Sequence, residues 1–219
     1  MKRELRLTAD GSPTLYVPEL DETYHSMHGS LQEANHVFIQ NGLAFSSADS
    51  KKIRILEVGF GTGLNALLSA QFALENQINI EYVGLEAYPV EEEIWKEMNY
   101  QDDANAKVFY TKMMALPFGE THAFDTHFTL SKAAFHIQEW SSSKKFDLIY
   151  YDAFGPRVQA EMWHKSIFEK LYGVLNEGGV LVTYCAQGQF KRDLKALGFT
   201  VDALPGPPGK REMTRAIKI

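Results

Sequence analysis

The chain has 219 residues, with 22 basic against 28 acidic side chains for a net charge of −6, and it is 45% hydrophobic, 23% charged and 12% aromatic. These proportions belong to an ordinary globular protein and exclude intrinsic disorder and fibrous repeats. The length suits one full domain with a small appendage and leaves no room for a second catalytic domain of usual size.

The first 45 residues have their own pattern. Residues 4–8 alternate, Asp10-Gly11 is a turn signal, and residues 14–17 return as a second strand. Tyr24-His25-Ser26-Met27-His28-Gly29 follows with no clear period. Ser30 as N-cap and Glu33 three residues later form an expected capping box, opening a helix that Asn41-Gly42 ends. Residues 1–45 are therefore expected as an extension and 46–219 as the main domain.

From Ile53 short apolar runs alternate with helical stretches. Strands are expected at 53–58, 81–85, 127–130, 146–151, 180–184, 200–204 and 213–219. Helices are expected at 64–75, 90–99, from 131 through Trp140, 160–175 and 190–197. Gly178-Gly179 is expected as a turn, and residues 101–125 as a surface excursion. This alternation predicts an α/β fold with a parallel, doubly wound sheet. The longest uncharged stretch, 58–74, carries three glycines with Thr62, Asn65, Ser69 and Gln71, so it makes a poor membrane span. The N-terminus lacks the apolar core of a secretory signal. The single Cys185 permits no disulfide within the chain and no zinc pattern, and is expected as a small core residue. A cytoplasmic protein with no membrane partner and no metal is the resulting expectation.

Charge is unevenly distributed. Residues 86–103 hold seven acidic side chains against Lys96, whereas residues 187–219 hold seven basic against three acidic, a local net of +4. The average charge speaks against nucleic acid, but it hides a basic end.

Two strand ends carry the chemistry. Glu57-Val58-Gly59-Phe60-Gly61-Thr62-Gly63-Leu64-Asn65 closes the first buried strand and opens a helix. Glycines there let the backbone turn sharply and let a ligand lie against it. The dinucleotide pattern G-x-G-x-x-G would need its third glycine at position 64, which is Leu64. The observed G-x-G-x-G, with an acid two residues ahead, resembles the first motif of class I S-adenosylmethionine (SAM) methyltransferases. Glu86 ends the second strand, where a carboxylate can accept both ribose hydroxyls; a nicotinamide dehydrogenase would share that acid. Asp152 ends a later buried strand, in Tyr150-Tyr151-Asp152-Ala153-Phe154-Gly155-Pro156. It can accept a hydrogen bond from an amine and aim its lone pair, or it can simply cap the strand. Phe154 and Pro156 offer an aromatic and apolar wall for a flat base, or packing.

Four stretches together resemble the MnmC-like methyltransferases, which form 5-methylaminomethyl-2-thiouridine in tRNA: residues 31–43, the 57–65 loop, Asp152 to Trp163, and Gly209-Lys210-Arg211-Glu212-Met213. The resemblance implies a class I SAM-dependent methyltransferase (Rossmann-like) fold with a small N-terminal extension. It implies methylation of the aminomethyl nitrogen on the wobble uridine of tRNA. Many members carry a fused FAD oxidase; this chain resembles the stand-alone form, expected to act without FAD. Cofactor contacts are then expected at Glu57, Gly59, Phe60, Gly61, Thr62, Gly63, Asn65, Glu86, Ala87, Lys132, Ala133 and Asp152, with Asp152 catalytic. Substrate contacts are expected at Phe154, Pro156, Lys191, Arg192, Lys210 and Arg211. The family's Gly-Asp-Ala aligns with Ser131-Lys132-Ala133, which has no acid. A second reading keeps the fold and methylates another amine, in a small molecule or a protein. A third makes the fold a non-catalytic binding module.

Overall fold

The computed structural model describes residues 1–219. Strands β1 (Glu4–Leu7) and β2 (Pro13–Val17) form the expected hairpin, and β3 (Glu22–Thr23) adds a third antiparallel strand. Helix α1 (Ser30–Ala34) follows and widens into a π-helical stretch over Asn35–Ala44. The expected capping box does not form. Gly29 is the N-cap, and Ser30 Oγ donates to the Pro13 carbonyl at 3.0 Å. Glu33 instead accepts from the Ser26 amide at 2.7 Å and pairs with Lys210. Nor does Asn41-Gly42 end the helix. Asn41 Nδ2 donates to the His36 carbonyl at 2.8 Å, and a Cβ at Gly42 would stand 2.9 Å from Val182 Cγ2. Gly42 allows close approach to the sheet; it is not a stop signal.

The main sheet contains β4 (Lys52–Val58), β5 (Asn79–Leu85), β6 (Thr121–Ala123), β7 (Phe128–Ala133), β8 (Phe146–Tyr151), β9 (Leu175–Thr183), β10 (Phe199–Pro205) and β11 (Glu212–Lys218). Their order is β10-β11-β9-β8-β4-β5-β7-β6. The five central strands are parallel, β6 and β11 run opposite to them, and β10, antiparallel to β11, points their way again, so the sheet is mixed where a parallel one was expected. Helices α2 (Leu64–Asn76), α3 (Glu92–Trp95), α4 (Ala104–Ala115), α5 (Lys165–Val174) and α6 (Gly188–Ala196) complete the α/β fold. In β4, Ile53 and Ile55 enter the core on the α1, α2 and α4 side, and Leu56 and Val58 the core on the α5 and α6 side. Both faces are covered, which explains why the strand reads as an almost unbroken apolar run. Leu15, Val37, Phe38 and Leu43 of the extension are buried in the first of these cores. No helix is long and apolar enough to cross a membrane.

Five expected elements differ. The acidic helix at 90–99 shrinks to α3, one turn in which Glu92 pairs with Lys96. Residues 101–125 hold α4 and β6. Asp103 caps α4 by accepting from the Ala106 amide at 2.7 Å, and Tyr110, Met113 and Met114 bury one side. After β7 there is no helix; Ile137 and Trp140 are buried from irregular backbone. The 160–175 helix is divided into a 3-10 turn (Ala160–Trp163) and α5, and Leu175 already belongs to β9. Gly178-Gly179 lies within β9, where the pairing with β8 shifts register. These glycines serve a strand irregularity, not a turn between elements.

Candidate active site

The chain leaves β4 at Val58 and turns through Gly59, whose φ is +93°. The Gly59 and Phe60 amides both donate to the Leu85 carbonyl, at 3.0 and 2.9 Å, which ties the turn to the end of β5. A Cβ on Gly59 would overlap the Asp152 carbonyl oxygen, so the turns after β4 and β8 touch backbone to backbone. Glu86, just beyond β5, accepts from the Gly61 amide at 2.8 Å and the Tyr88 amide at 2.9 Å. Asn65, in the first turn of α2, donates from Nδ2 to Glu57 at 2.8 Å and to Asp152 at 2.9 Å.

These groups surround one cavity of about 700 Å³, at the carboxyl ends of the parallel strands. Its floor and walls include Gly59, Phe60, Gly61, Thr62, Asn65, Glu86, Ala87, Asp152, Phe154 and Lys210, all expected from the sequence. The roof was not expected. Residues 22–28 of the extension cover the cavity, with Tyr24 edge-on to Phe154 at 5.2 Å. Arg3, with its side chain 2% exposed, holds this roof down. It donates to Tyr24 Oη at 2.8 Å and the Tyr88 carbonyl at 2.5 Å, and pairs with Glu91 at 2.6 Å. Glu33 and Tyr184 also line the cavity. The signal that could have found the roof is the aperiodic run at 24–28, rich in Tyr and His, which suits neither strand nor helix.

Other expected residues lie elsewhere. Glu57 is buried beneath Asn65, and Gly63 packs behind the turn against Met113 and Met114 of α4. Lys132 and Ala133 do not reach the cavity. The alternation of β7 turns Lys132 inward, where its ammonium donates to the Met114 carbonyl at 2.6 Å and lies 4.8 Å from the Phe118 ring. The Ala133 carbonyl accepts from the Glu86 amide. The chain lines the cavity slightly later, at residues 135–138. Pro156 stands outside it. Lys191 pairs with Glu212 at 2.8 Å and Arg192 with Gln189 at 2.8 Å, both away from the cavity. Arg211, exposed at 95%, lines a shallow groove next to it, together with Tyr184, Cys185 and Lys210.

The electrostatics single out Asp152. It is half-buried in the cavity wall, and desolvation, with Glu33 nearby, pushes its pKa up to about 7. Asn65 and Lys210 act in the opposite direction. Burial drives Glu57 well above the usual carboxylate range. Glu57 Oε2, Asn65 Oδ1 and Tyr82 Oη are buried without a hydrogen-bond partner. Burial also lowers His25 to about 4, so this roof residue is neutral at physiological pH.

A glycine turn between β4 and α2, an acid at the end of β5 and a second acid at the end of β8 define the class I SAM-dependent methyltransferase arrangement. Residues 96–219 match the family described as S-adenosyl-L-methionine-dependent methyltransferase, and the chain belongs to that family. It is 33% identical over 221 residues to the tRNA 5-methylaminomethyl-2-thiouridine biosynthesis bifunctional protein MnmC of Cupriavidus necator, covering 96% of this chain and 33% of that protein. The chain thus spans about a third of the length of the curated relatives it matches. Among solved structures, MnmC2 from Aquifex aeolicus superposes with a TM-score of 0.82 at 25% identity, over 98% of this chain and 70% of that one. The SAM-bound amino pentose methyltransferase CalS10 from Micromonospora echinaspora shares the fold, with a TM-score of 0.54 at 15% identity, over 87% of this chain and 92% of that one.

Proposed function

We propose that this methyltransferase transfers a methyl group from SAM to the nitrogen of an aminomethyl group on the wobble uridine of tRNA, giving methylaminomethyl. The observation that carries this reading is Asp152, a half-buried carboxyl in the cavity wall with its pKa raised to about 7, at the end of a central strand and held by Asn65 beside the glycine turn. The MnmC relatives supply the substrate class.

The residues present fit SAM. The glycine turn, Asn65 and Glu86 all line the cavity, and Asn65 Oδ1 is a buried acceptor without a partner in its wall. The backbone of Gly59 and Gly61, with Glu86 and Asn65, would hold the group, and Ala87 and residues 135–138 would surround its far end. When bound, SAM supplies an electrophilic methyl on a sulfonium. Asp152 as carboxylate accepts an N–H from the substrate amine, which orients the nitrogen lone pair and restrains the nucleophile. Asp152 would take the proton that the nitrogen gives up in exchange for the methyl, whose S–C bond breaks to leave a neutral thioether, and its pKa suits such general-base work near neutrality. Phe154 and Tyr24 form an aromatic wall on which a flat base stacks. Arg211, with Arg192 and Lys195 on α6, supplies exposed cations for phosphates beyond the cavity. Cytoplasmic tRNA is the expected partner.

Incubation with methyl-labelled SAM and tRNA carrying unmethylated aminomethyl groups should convert them to methylaminomethyl, seen by mass spectrometry of digested tRNA. SAM binding without any such incorporation would refute the substrate assignment. The single-turnover rate should rise with pH through about 7, because the protonated carboxyl cannot accept the amine's proton. A rate flat between pH 6 and 8 would exclude Asp152 as the base.

A further inference from the structure

Lys210 was expected as a substrate contact, but the fold turns it inward. Its ammonium pairs with Glu33 and lies 3.9 Å from the Tyr184 ring centroid, and all three residues face the cavity. Tyr184 in turn donates from Oη to the Ala153 carbonyl at 2.8 Å, one residue from Asp152. Glu33 is 8% exposed and its second oxygen accepts from the Ser26 amide at 2.7 Å, in the cavity roof. Gly209, at φ +82°, presses against His28, so the backbone before Lys210 has little freedom. One ion pair therefore joins the extension, the loop after β8 and the turn before β11.

The groups facing Asp152 can be named element by element. Asn65 comes from α2, with Glu57 of β4 and Tyr82 of β5 around it. Tyr184 follows β9, Glu33 comes from α1 and Lys210 precedes β11. Glu33 and Lys210 act on Asp152 with opposite sign, Glu33 favouring the protonated form and Lys210 the carboxylate.

We propose that the Glu33–Lys210 pair is a positioning device for Asp152: it holds the loop from Asp152 to Phe154 through Tyr184 and balances the charge around that carboxyl. Lys210 is then a positioning residue of the active site and not a tRNA-phosphate contact. This inference rests on the role given to Asp152 under Proposed function.

The test uses the full chain with Lys210→Met, Lys210→Arg, Glu33→Gln and Arg211→Ala. Calorimetry follows SAM affinity against pH, which needs no tRNA, since a cationic ligand binds the carboxylate form of Asp152 better. Lys210→Met should move the acidic limb to higher pH by about half a unit or more, Glu33→Gln should move it to lower pH, and Lys210→Arg should keep it. Single-turnover methyl transfer should fall about tenfold or more in Lys210→Met and Glu33→Gln. The salt dependence of tRNA binding should be unchanged in Lys210→Met, while Arg211→Ala lowers its slope by about one and leaves the pH limb in place. Limbs that stay put, or that move in the same direction in Lys210→Met and Glu33→Gln, would overturn the proposal. So would a lower salt slope in Lys210→Met. If Lys210→Met does not fold, the limbs of Glu33→Gln and Lys210→Arg decide alone. If the limbs move as expected but wild-type protein methylates no tRNA, the substrate assignment fails and the charge-balancing role stands.

Discussion

Asp152→Ala should lower the single-turnover rate of methyl transfer by about 10²- to 10³-fold while changing SAM affinity by less than about tenfold. The carboxylate is held by one Asn65 amide and faces the cavity, so its removal deprives the amine of its acceptor but leaves the glycine turn and Glu86 untouched. Equal losses in turnover and in SAM affinity would contradict the assignment. The same residue has a stability signature. Its folded pKa of about 7 lies above the unfolded value of 3.8, so the native state binds the extra proton between those limits. Its contribution is absent below about pH 4, and it destabilises increasingly as pH rises toward 7. At roughly 1.4 kcal/mol for each pH unit between the two values, the cost of holding the carboxylate charged at pH 8 is about 4 kcal/mol. Asp152→Asn should therefore gain stability over wild type at pH 8 and lose that advantage near pH 4, as measured by urea unfolding. An advantage that does not vary with pH would mean that Asp152 is not titrating in the folded state.

Gly59→Ala should abolish measurable SAM binding and lower the melting temperature by about 5–10 °C. Two effects combine there. The residue sits at φ +93°, which strains any side chain, and the added carbon would meet the Asp152 carbonyl, a backbone atom that cannot swing away. Gly11→Ala separates the two. Gly11 has φ +81° with open space around it, so its substitution carries the backbone strain alone. It should cost about 1 kcal/mol and leave SAM binding intact. Similar losses of SAM binding in the two variants would show that contact with Asp152 is not what makes Gly59 necessary.

Much of the molecule was legible from local pattern. The strand at 146–151 and the start of α2 at Leu64 lie where the apolar runs and the glycine turn put them. Glu86 and Asp152 were found because strand ends in a parallel sheet converge on one edge, and the residue that ends a buried run is visible in the sequence. The last expected strand, 213–219, is β11, shifted by one residue, with Met213 buried in the core. The misses share a cause. Glu33 was read as half of a capping box and Lys210 as a substrate contact, yet they pair with each other across 177 residues. Each has a satisfactory local explanation, and nothing local shows that the local partner is not used.

Lys132 shows the same limit from another side. Its position in the alignment placed it at the cofactor, but strand alternation decides which way a side chain points, and β7 points it at the end of α4. Burial lowers its pKa to about 8. Gly42 and Gly178-Gly179 were read as stop and turn signals because glycine permits both. Only the neighbouring sheet shows that one serves close approach and the other a strand irregularity.

The sequence by itself determined the fold class, the glycine turn and the two strand-end acids, because these depend on hydrophobic period and on residues adjacent in the chain. The roof over the cavity, the Arg3 strap, the Asn65 bridge and the Glu33–Lys210 pair were decided by the tertiary structure alone. They join residues far apart in sequence through a few hydrogen bonds and ion pairs, and such contacts leave no periodic trace along the chain.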